Sequence, residues 1–215
     1  MRLVLMGMPG VGKGTQAALL RERLELPHVS TGDILREAVR SGSLLGRRVK
    51  DVLESGRLVP DELMRELIAE RLGQADARRG FILDGFPRTA EQVRILDEVL
   101  DKLGIDLEGV FLLSAPEEEI VRRLSGRRVC PACSSVFHLE TRPPASAGVC
   151  DECGSALVQR SDDTESVVRD RLCVFAEQTL PIAEIYRRRG LLREVDATGL
   201  PDEVARRLQA TVAAA

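Results

Sequence analysis

Leu3-Val4-Leu5-Met6, running straight into Gly7-Met8-Pro9-Gly10-Val11-Gly12-Lys13-Gly14-Thr15, is the stretch whose reading decides the fold. Four consecutive apolar residues read as a short strand buried on both faces. The segment through Leu19, Leu20 and Leu24 reads as a helix. Between them, glycines open backbone angles closed to other residues and let main-chain N–H groups approach an anion. The helix N-terminus adds the positive end of its dipole, and Lys13 supplies a mobile charge for a transferring phosphate. A glycine-rich strand–helix turn without a ligand is the plainer alternative. The lysine, set between that strand and that helix, argues against it. One departure from the general phosphate-loop pattern matters: Gly14 stands where Ser or Thr usually helps hold Mg²⁺, and the hydroxyl comes one place later at Thr15.

Outward from this motif, apolar segments alternate with amphipathic ones, as in an α/β protein with a parallel sheet. The strands are expected at Leu3–Met6, Pro27–Val29, Phe81–Leu83, Val110–Leu113 and Leu192–Val195. Val168, Leu172, Phe175, Thr179, Ile182 and Tyr186 recur at helical spacing, with Pro181 predicting a kink or break inside that helix. Cys173 lies in the same helix and is expected in the core. Two stretches interrupt the alternation and read as inserts on the ligand side of the sheet. Residues 30–59 look like short helices punctuated by Gly42, Gly46 and Gly56, and residues 126–163 carry paired cysteines and Pro143-Pro144.

Bulk properties narrow the partners. At 215 residues the chain buries one substantial core with small inserts. Aromatic residues are only 3%, with no Trp and one Tyr, which speaks against a stacking surface for single-stranded nucleic acid. A net charge of −3 gives no general attraction to polyanions, so neither nucleic acid nor an acidic membrane is an expected partner. No apolar run approaches the ~20 residues that span a bilayer, and Met1–Met6 is too short for a signal-peptide core. A cytoplasmic, monomeric protein is expected.

Cys130-x2-Cys133 and Cys150-x2-Cys153 have the spacing of a zinc ribbon. Four thiolates leave no open position for catalysis, so the expectation is a structural Zn²⁺. Two disulfides or free thiols are the alternatives, and iron suits the same four ligands. With that quartet complete, His28 and His138 are read as structural or surface residues. A zinc-ribbon nucleic-acid module fused to a nucleotide-binding domain is a further possibility. Residues 127–163, however, hold four arginines and no lysine against five acids, a poor footprint for a phosphate backbone.

Further motifs span nearly the whole chain: Ser30-Thr31-Gly32-Asp33-Ile34-Leu35-Arg36, Gly56-Arg57-Leu58-Val59, Asp84-Gly85-Phe86-Pro87-Arg88-Thr89, Leu124-Ser125-Gly126-Arg127-Arg128 and Arg160-Ser161-Asp162-Asp163. With the Gly-x-Pro-Gly-x-Gly-Lys-Gly-Thr loop, they resemble the signatures of the adenylate kinase family. The resemblance implies a three-layer P-loop NTPase-like fold on a central five-stranded parallel sheet. It divides the chain into a core (1–29, 60–125 and 164–215), a nucleoside-monophosphate-binding insert (30–59) and a mobile lid (126–163). It also implies reversible Mg²⁺-dependent phosphoryl transfer, ATP plus AMP giving two ADP.

The resemblance assigns ATP to Gly10, Val11, Gly12, Lys13, Gly14, Thr15, Arg123, Arg127, Val136, Phe137 and Gly199, with Phe137 stacking on the adenine. It assigns AMP to Thr31, Arg36, Arg57, Leu58, Val59, Gly85, Phe86, Pro87, Arg88, Gln92, Arg160 and Arg171. Lys13, Asp84, Arg88, Arg123, Arg160 and Arg171 are the implied catalytic set, and Asp162 and Asp163 the lid-closure pair.

Taken as residues alone, several of these have plainer readings. Arg36 and Arg88 fit solvated surface arginines, and Thr31 fits a cap for the helix that follows it. Asp84 fits a turn cap, and Asp162-x-x-Glu165 fits a capping box. Thr89-Ala90-Glu91-Gln92 fits a capping box, whereas the resemblance implies that the Gln92 amide reads the adenine edge. In the resembling family, kinases for UMP and CMP tend to carry Asn at that place, which makes them the main alternative within the enzyme class.

Overall fold

The computed structural model describes residues 1–214. Five parallel strands form one sheet: β1 (Arg2–Gly7), β2 (His28–Ser30), β3 (Phe81–Asp84), β4 (Gly109–Ser114) and β7 (Leu192–Asp196), in the order β2-β3-β1-β4-β7. All five expected strands are present, within two residues at each end. Their apolar runs lack polar alternation because both faces are covered. Val4 and Met6 pack into one core with Leu83, Val110 and Leu112, while Leu3 and Leu5 pack into another with Ile82, Phe111 and Leu113.

Helices complete the two outer layers. On one side α1 (Lys13–Leu24), α6 (Glu117–Gly126) and α9 (Pro201–Ala213) contribute Ala17, Leu20, Leu124, Leu208 and Val212. On the other, α4 (Asp61–Leu72) and α5 (Ala90–Leu103) contribute Leu67, Ile68, Val93 and Leu96. Two short helices, α2 (Thr31–Arg40) and α3 (Leu44–Glu54), fill the stretch after β2. Beyond α6 the chain leaves the sheet to form a separate antiparallel pair, β5 (Arg127–Val129) and β6 (Val136–His138).

The helix containing Pro181 breaks as expected, but ahead of the proline. It is divided into α7 (Glu165–Val174), a π turn over Phe175–Thr179, and α8 (Ile182–Arg188). The π turn is closed by Leu180 N–H donating to the Phe175 carbonyl at 2.8 Å. Cys173 is exposed rather than in the core. It lies one residue, about 100° around the helix, from the buried Leu172, and so falls off the apolar stripe. Among the described residues no helix is long and apolar enough to cross a membrane.

Candidate active site

The carboxyl ends of β1, β2 and β3 point into one cleft, where open α/β sheets bind their ligands. At the end of β1, Gly10 has φ +85° and a Cβ placed there would meet the Leu124 side chain at 2.5 Å, so the loop closes only on a glycine. The Lys13 ammonium folds back over the loop, donating to the Gly7 and Met8 carbonyls at 2.8 and 2.9 Å. Burial pushes it down to about 8; Asp84 opposes the shift, while Arg88, Arg171 and Arg127 add to it.

Arg123 ties this loop to the far edge of the sheet. Its guanidinium donates to the carbonyls of Val11 (3.0 Å), Ala197 (2.9 Å) and Gly199 (3.1 Å), with Glu119 as its ionic partner. Gln16, nearly fully buried one turn into α1, donates to the Pro201 carbonyl at 2.9 Å and braces the same junction.

The opposite wall is lined by Thr31, Gly32, Arg36, Arg57, Leu58, Val59, Gly85, Arg88 and Gln92, together with Asp162 and Arg171. Gly85 is at φ +84°, and a Cβ there would stand 2.8 Å from Thr31 Oγ1 and 3.1 Å from the Arg88 guanidinium. Only glycine lets those groups crowd together. The Phe86–Pro87 peptide that follows is cis. Arg88 donates from Nε to the Gly85 carbonyl at 2.7 Å, and its own carbonyl accepts from the Thr179 hydroxyl at 3.0 Å. Burial and the neighbouring Arg171 hold this guanidinium down to about 10.

Arg36, Arg160, Arg171 and Arg127 complete a cationic cluster. Carboxylates occupy their donors. Asp33 accepts from Arg36 at 2.6 Å and lies 3.7 Å from Arg160. Asp162 accepts from Arg171 at 2.9 Å, and Asp163, its side chain 0% exposed, takes Arg127 in a two-pronged pair with one arm at 2.8 Å. Burial works against Asp33 and Asp162 ionising, yet the surrounding arginines hold both carboxyls below the usual range. With Lys13 and Arg88 included, cations outnumber carboxylates, so the cleft suits a ligand carrying several negative charges.

The adenylate kinase family model matches residues 5–191. Curated adenylate kinases are similar to this chain over most of their length. The one from Moorella thermoacetica is 51% identical over 92% of this chain and 91% of its own length. The one from Methanocella arvoryzae is 47% identical over 99% and 98%, and the one from Caldicellulosiruptor bescii 49% identical over 89% of each. The chain belongs to the adenylate kinase family.

Ser30, not Thr31, caps α2, accepting from Asp33 N–H; the Thr31 hydroxyl instead donates to the Asp84 carbonyl at 3.3 Å. Asp84 accepts no main-chain N–H among the described residues. Its carboxylate faces His28 Nε2 at 3.5 Å and would stand 3.7 Å from a Cβ at Gly14. Asp162 and Asp163 lie in a 3-10 turn ahead of α7, whose N-cap is Thr164, so neither caps that helix. The box at Thr89 is half formed. Gln92 N–H donates to Thr89 Oγ1 at 3.1 Å, but the Gln92 carboxamide reaches Arg88 N–H and Asp61 instead of the Thr89 N–H. Asp61 and Glu119 therefore join the site without having been singled out: nothing local to Asp61 names its partner, whereas Glu119 stands four residues before Arg123 on α6, a helical spacing that could have found it.

The four cysteines come together. Their sulfurs lie within 4.8 Å of one another, with Sγ–Sγ contacts of 3.4 Å (Cys130–Cys153) and 3.5 Å (Cys133–Cys150 and Cys133–Cys153). All four are free thiols. Tetrahedral thiolates about 2.3 Å from a zinc would be about 3.8 Å apart, so the quartet fits such an ion after a slight expansion. The two halves are built alike. Cys130 N–H donates to the Ser135 carbonyl and Cys150 N–H to the Ser155 carbonyl, with the left-handed residues Ser134 and Gly154 at matching turns. Hydrogen bonds from Ser135 pull the Cys133 thiol down to about 6, and Ser155 acts in the same direction on Cys153.

Phe137, 2% exposed, packs with Cys130, Cys150 and Leu157, and Arg142 lies over its ring at 5.3 Å. It offers no free face to a base in this conformation. His138 bonds locally, accepting at Nδ1 from Glu140 N–H.

Proposed function

We propose that the chain catalyses reversible transfer of a phosphoryl group from ATP·Mg²⁺ to AMP, giving two ADP. The observation that carries this reading is the convergence of Lys13, Arg88, Arg160 and Arg171 between a phosphate loop and a wall containing the Gln92 amide. The acceptor is a phosphate whose second pKa is about 6, so it arrives ionised and needs no general base. What the reaction requires is two polyanions held in line and charge stabilised on the moving group. Lys13 and the loop N–H groups, through Gly10, Val11, Gly12, Gly14 and Thr15, suit the donor phosphates. Arg36 and Arg88 suit the acceptor phosphate, and Arg123, Arg127, Arg160 and Arg171 the charge between them. Asp84, beside Gly14, suits the hydration shell of the ATP-bound Mg²⁺, an ion that keeps most of its waters.

In this reading residues 30–59 form the AMP-binding unit, with Thr31, Arg57, Leu58, Val59, Gly85, Phe86 and Pro87 around the nucleoside. Residues 126–163 form a lid braced by structural zinc. Asp162 and Asp163 release their arginines to the phosphates as it closes, which also excludes water as a competing acceptor. Val136 and Gly199 flank the ATP base, with Phe137 bracing the strand beneath. The remaining parts, 1–29, 60–125 and 164–215, form the core. We place the protein in the cytoplasm as a monomer, in keeping with cysteines left unoxidised for a metal.

A panel of AMP, CMP, UMP and GMP with ATP·Mg²⁺ tests the assignment. AMP is expected to be turned over fastest by at least an order of magnitude. Comparable turnover of CMP or UMP would replace it with a pyrimidine-nucleotide kinase.

The depressed Lys13 gives a pH signature. Triphosphate binding restores a normal pKa, so the bound state holds the proton that the free protein releases above about pH 8. Affinity for ATP is then full below that value and falls up to about tenfold per pH unit above it. Calorimetry at about pH 8.5 in two buffers of different ionisation enthalpy should register proton uptake. Its absence would remove Lys13 from the phosphate contact.

A further inference from the structure

The Gln92 amide has its orientation imposed on it. Its side chain is 2% exposed at the first turn of α5, and Oε1 accepts from Arg88 N–H at 2.8 Å while Nε2 donates to Asp61 Oδ1 at 2.8 Å. A main-chain N–H can only donate and a carboxylate can only accept. Turning the amide over would set its NH₂ against the Arg88 N–H and its oxygen against the Asp61 carboxylate. Both contacts therefore select the same state. A primary amide has two N–H groups and two lone pairs on oxygen, so one of each remains after these bonds are made. Gln92 lines the acceptor cleft, and these are what it can present there.

That remaining pair is directional. The edge of a 6-aminopurine presents a ring-nitrogen acceptor beside an amine donor, which matches a fixed N–H and lone pair. A 6-oxopurine presents a ring N–H beside a carbonyl, which needs the amide reversed. We propose that Asp61 is a specificity-determining positioning residue: it locks the Gln92 carboxamide in the state that pairs with a 6-aminopurine and opposes a 6-oxopurine. This rests on the reading of Gln92 as the contact to the acceptor base. Asp61 is also the first residue of α4, where an acid favours the helix dipole. A purely helical role would change stability and leave base selectivity alone.

AMP and IMP are close to isosteric and differ in the polarity of this edge, so their ratio of kcat/KM with ATP·Mg²⁺ reads the lock directly. In the unmodified protein AMP is expected to be preferred by at least a hundredfold. Asp61→Asn, whose own amide can turn to donate or accept, is expected to cut that preference about tenfold. The change should come through KM for the acceptor, with KM for ATP in place. Arg88 N–H keeps the remaining preference.

A second measurement needs no variant. The monophosphate of unsubstituted purine riboside loses one hydrogen bond but meets no opposed pair, so it should be a better acceptor than IMP. An unchanged AMP:IMP ratio in Asp61→Asn, whether or not its melting temperature shifts, overturns the proposal. So does IMP equalling or surpassing the unsubstituted purine nucleotide. Failure of the unmodified protein to use AMP at all would instead sink the adenylate kinase assignment.

Discussion

Arg88→Lys is expected to lower kcat/KM for the acceptor by about two to three orders of magnitude although the charge is kept. The native guanidinium spends Nε on the Gly85 carbonyl, 2.7 Å away, which leaves its two terminal nitrogens for the cleft. A lysine ammonium has one nitrogen and cannot both hold that carbonyl and present a planar pair of donors to a phosphate. It would also be a poor cation here. Burial and Arg171 already hold the arginine down to about 10, and a lysine starts lower. Steady-state kinetics over a range of AMP, with the melting temperature as control, measure the effect. Near-normal turnover would show that Arg88 does no more than shape its own loop.

The second large effect concerns the cysteine quartet. Metal analysis is expected to find about one equivalent of zinc. Chelation, or Cys150→Ser, is expected to lower the melting temperature by about 10 °C or more. Structural zinc contributes on the order of 10 kcal/mol to a small site, and each kcal/mol lost is about 2–4 °C in a chain of this size. The residues around the quartet have little else to hold them: Cys130, Phe137 and Cys150, with Leu157 against them, are the buried apolar cluster there. Stability should fail before chemistry does, because no sulfur belongs to the phosphate cleft. Metal-free protein with unchanged melting would refute the role, and one equivalent of iron would reassign the ion.

The strands were legible because burial on both faces of a parallel sheet writes itself as an apolar run, as in Leu3–Met6 and Val110–Leu113. The phosphate loop was legible because it needs glycines at fixed places beside a lysine. The cysteine quartet was legible because two knuckles have a fixed bite. What stayed hidden depends on partners distant in the chain. Gln92 looked half like a cap because its local spacing suits one, and only the fold brings Asp61, 31 residues earlier, to its amide. Arg123 reaches Ala197 across 74 residues. Asp162 and Asp163 resembled caps because a local pattern contains no record of which arginine will fold over it. Cys173 was misplaced on composition, since a small apolar residue in a half-buried helix is settled by about 100° of rotation.

That rotation bears on how the site can move. The stripe from Val168 to Tyr186 reads as one continuous seam, yet Val168 and Leu172 belong to the core on one side of the sheet while Phe175, Ile182 and Tyr186 belong to the other. The π turn at Phe175–Thr179 supplies the extra residue that carries the seam from one side to the other. A helix clamped into two separate cores resists torsion, since twisting it would shear both. Arg171, on the last turn before that crossing, therefore stands on a fixed post. In the proposed reading a closing lid would have something rigid to meet, and the post is made by a single residue out of phase.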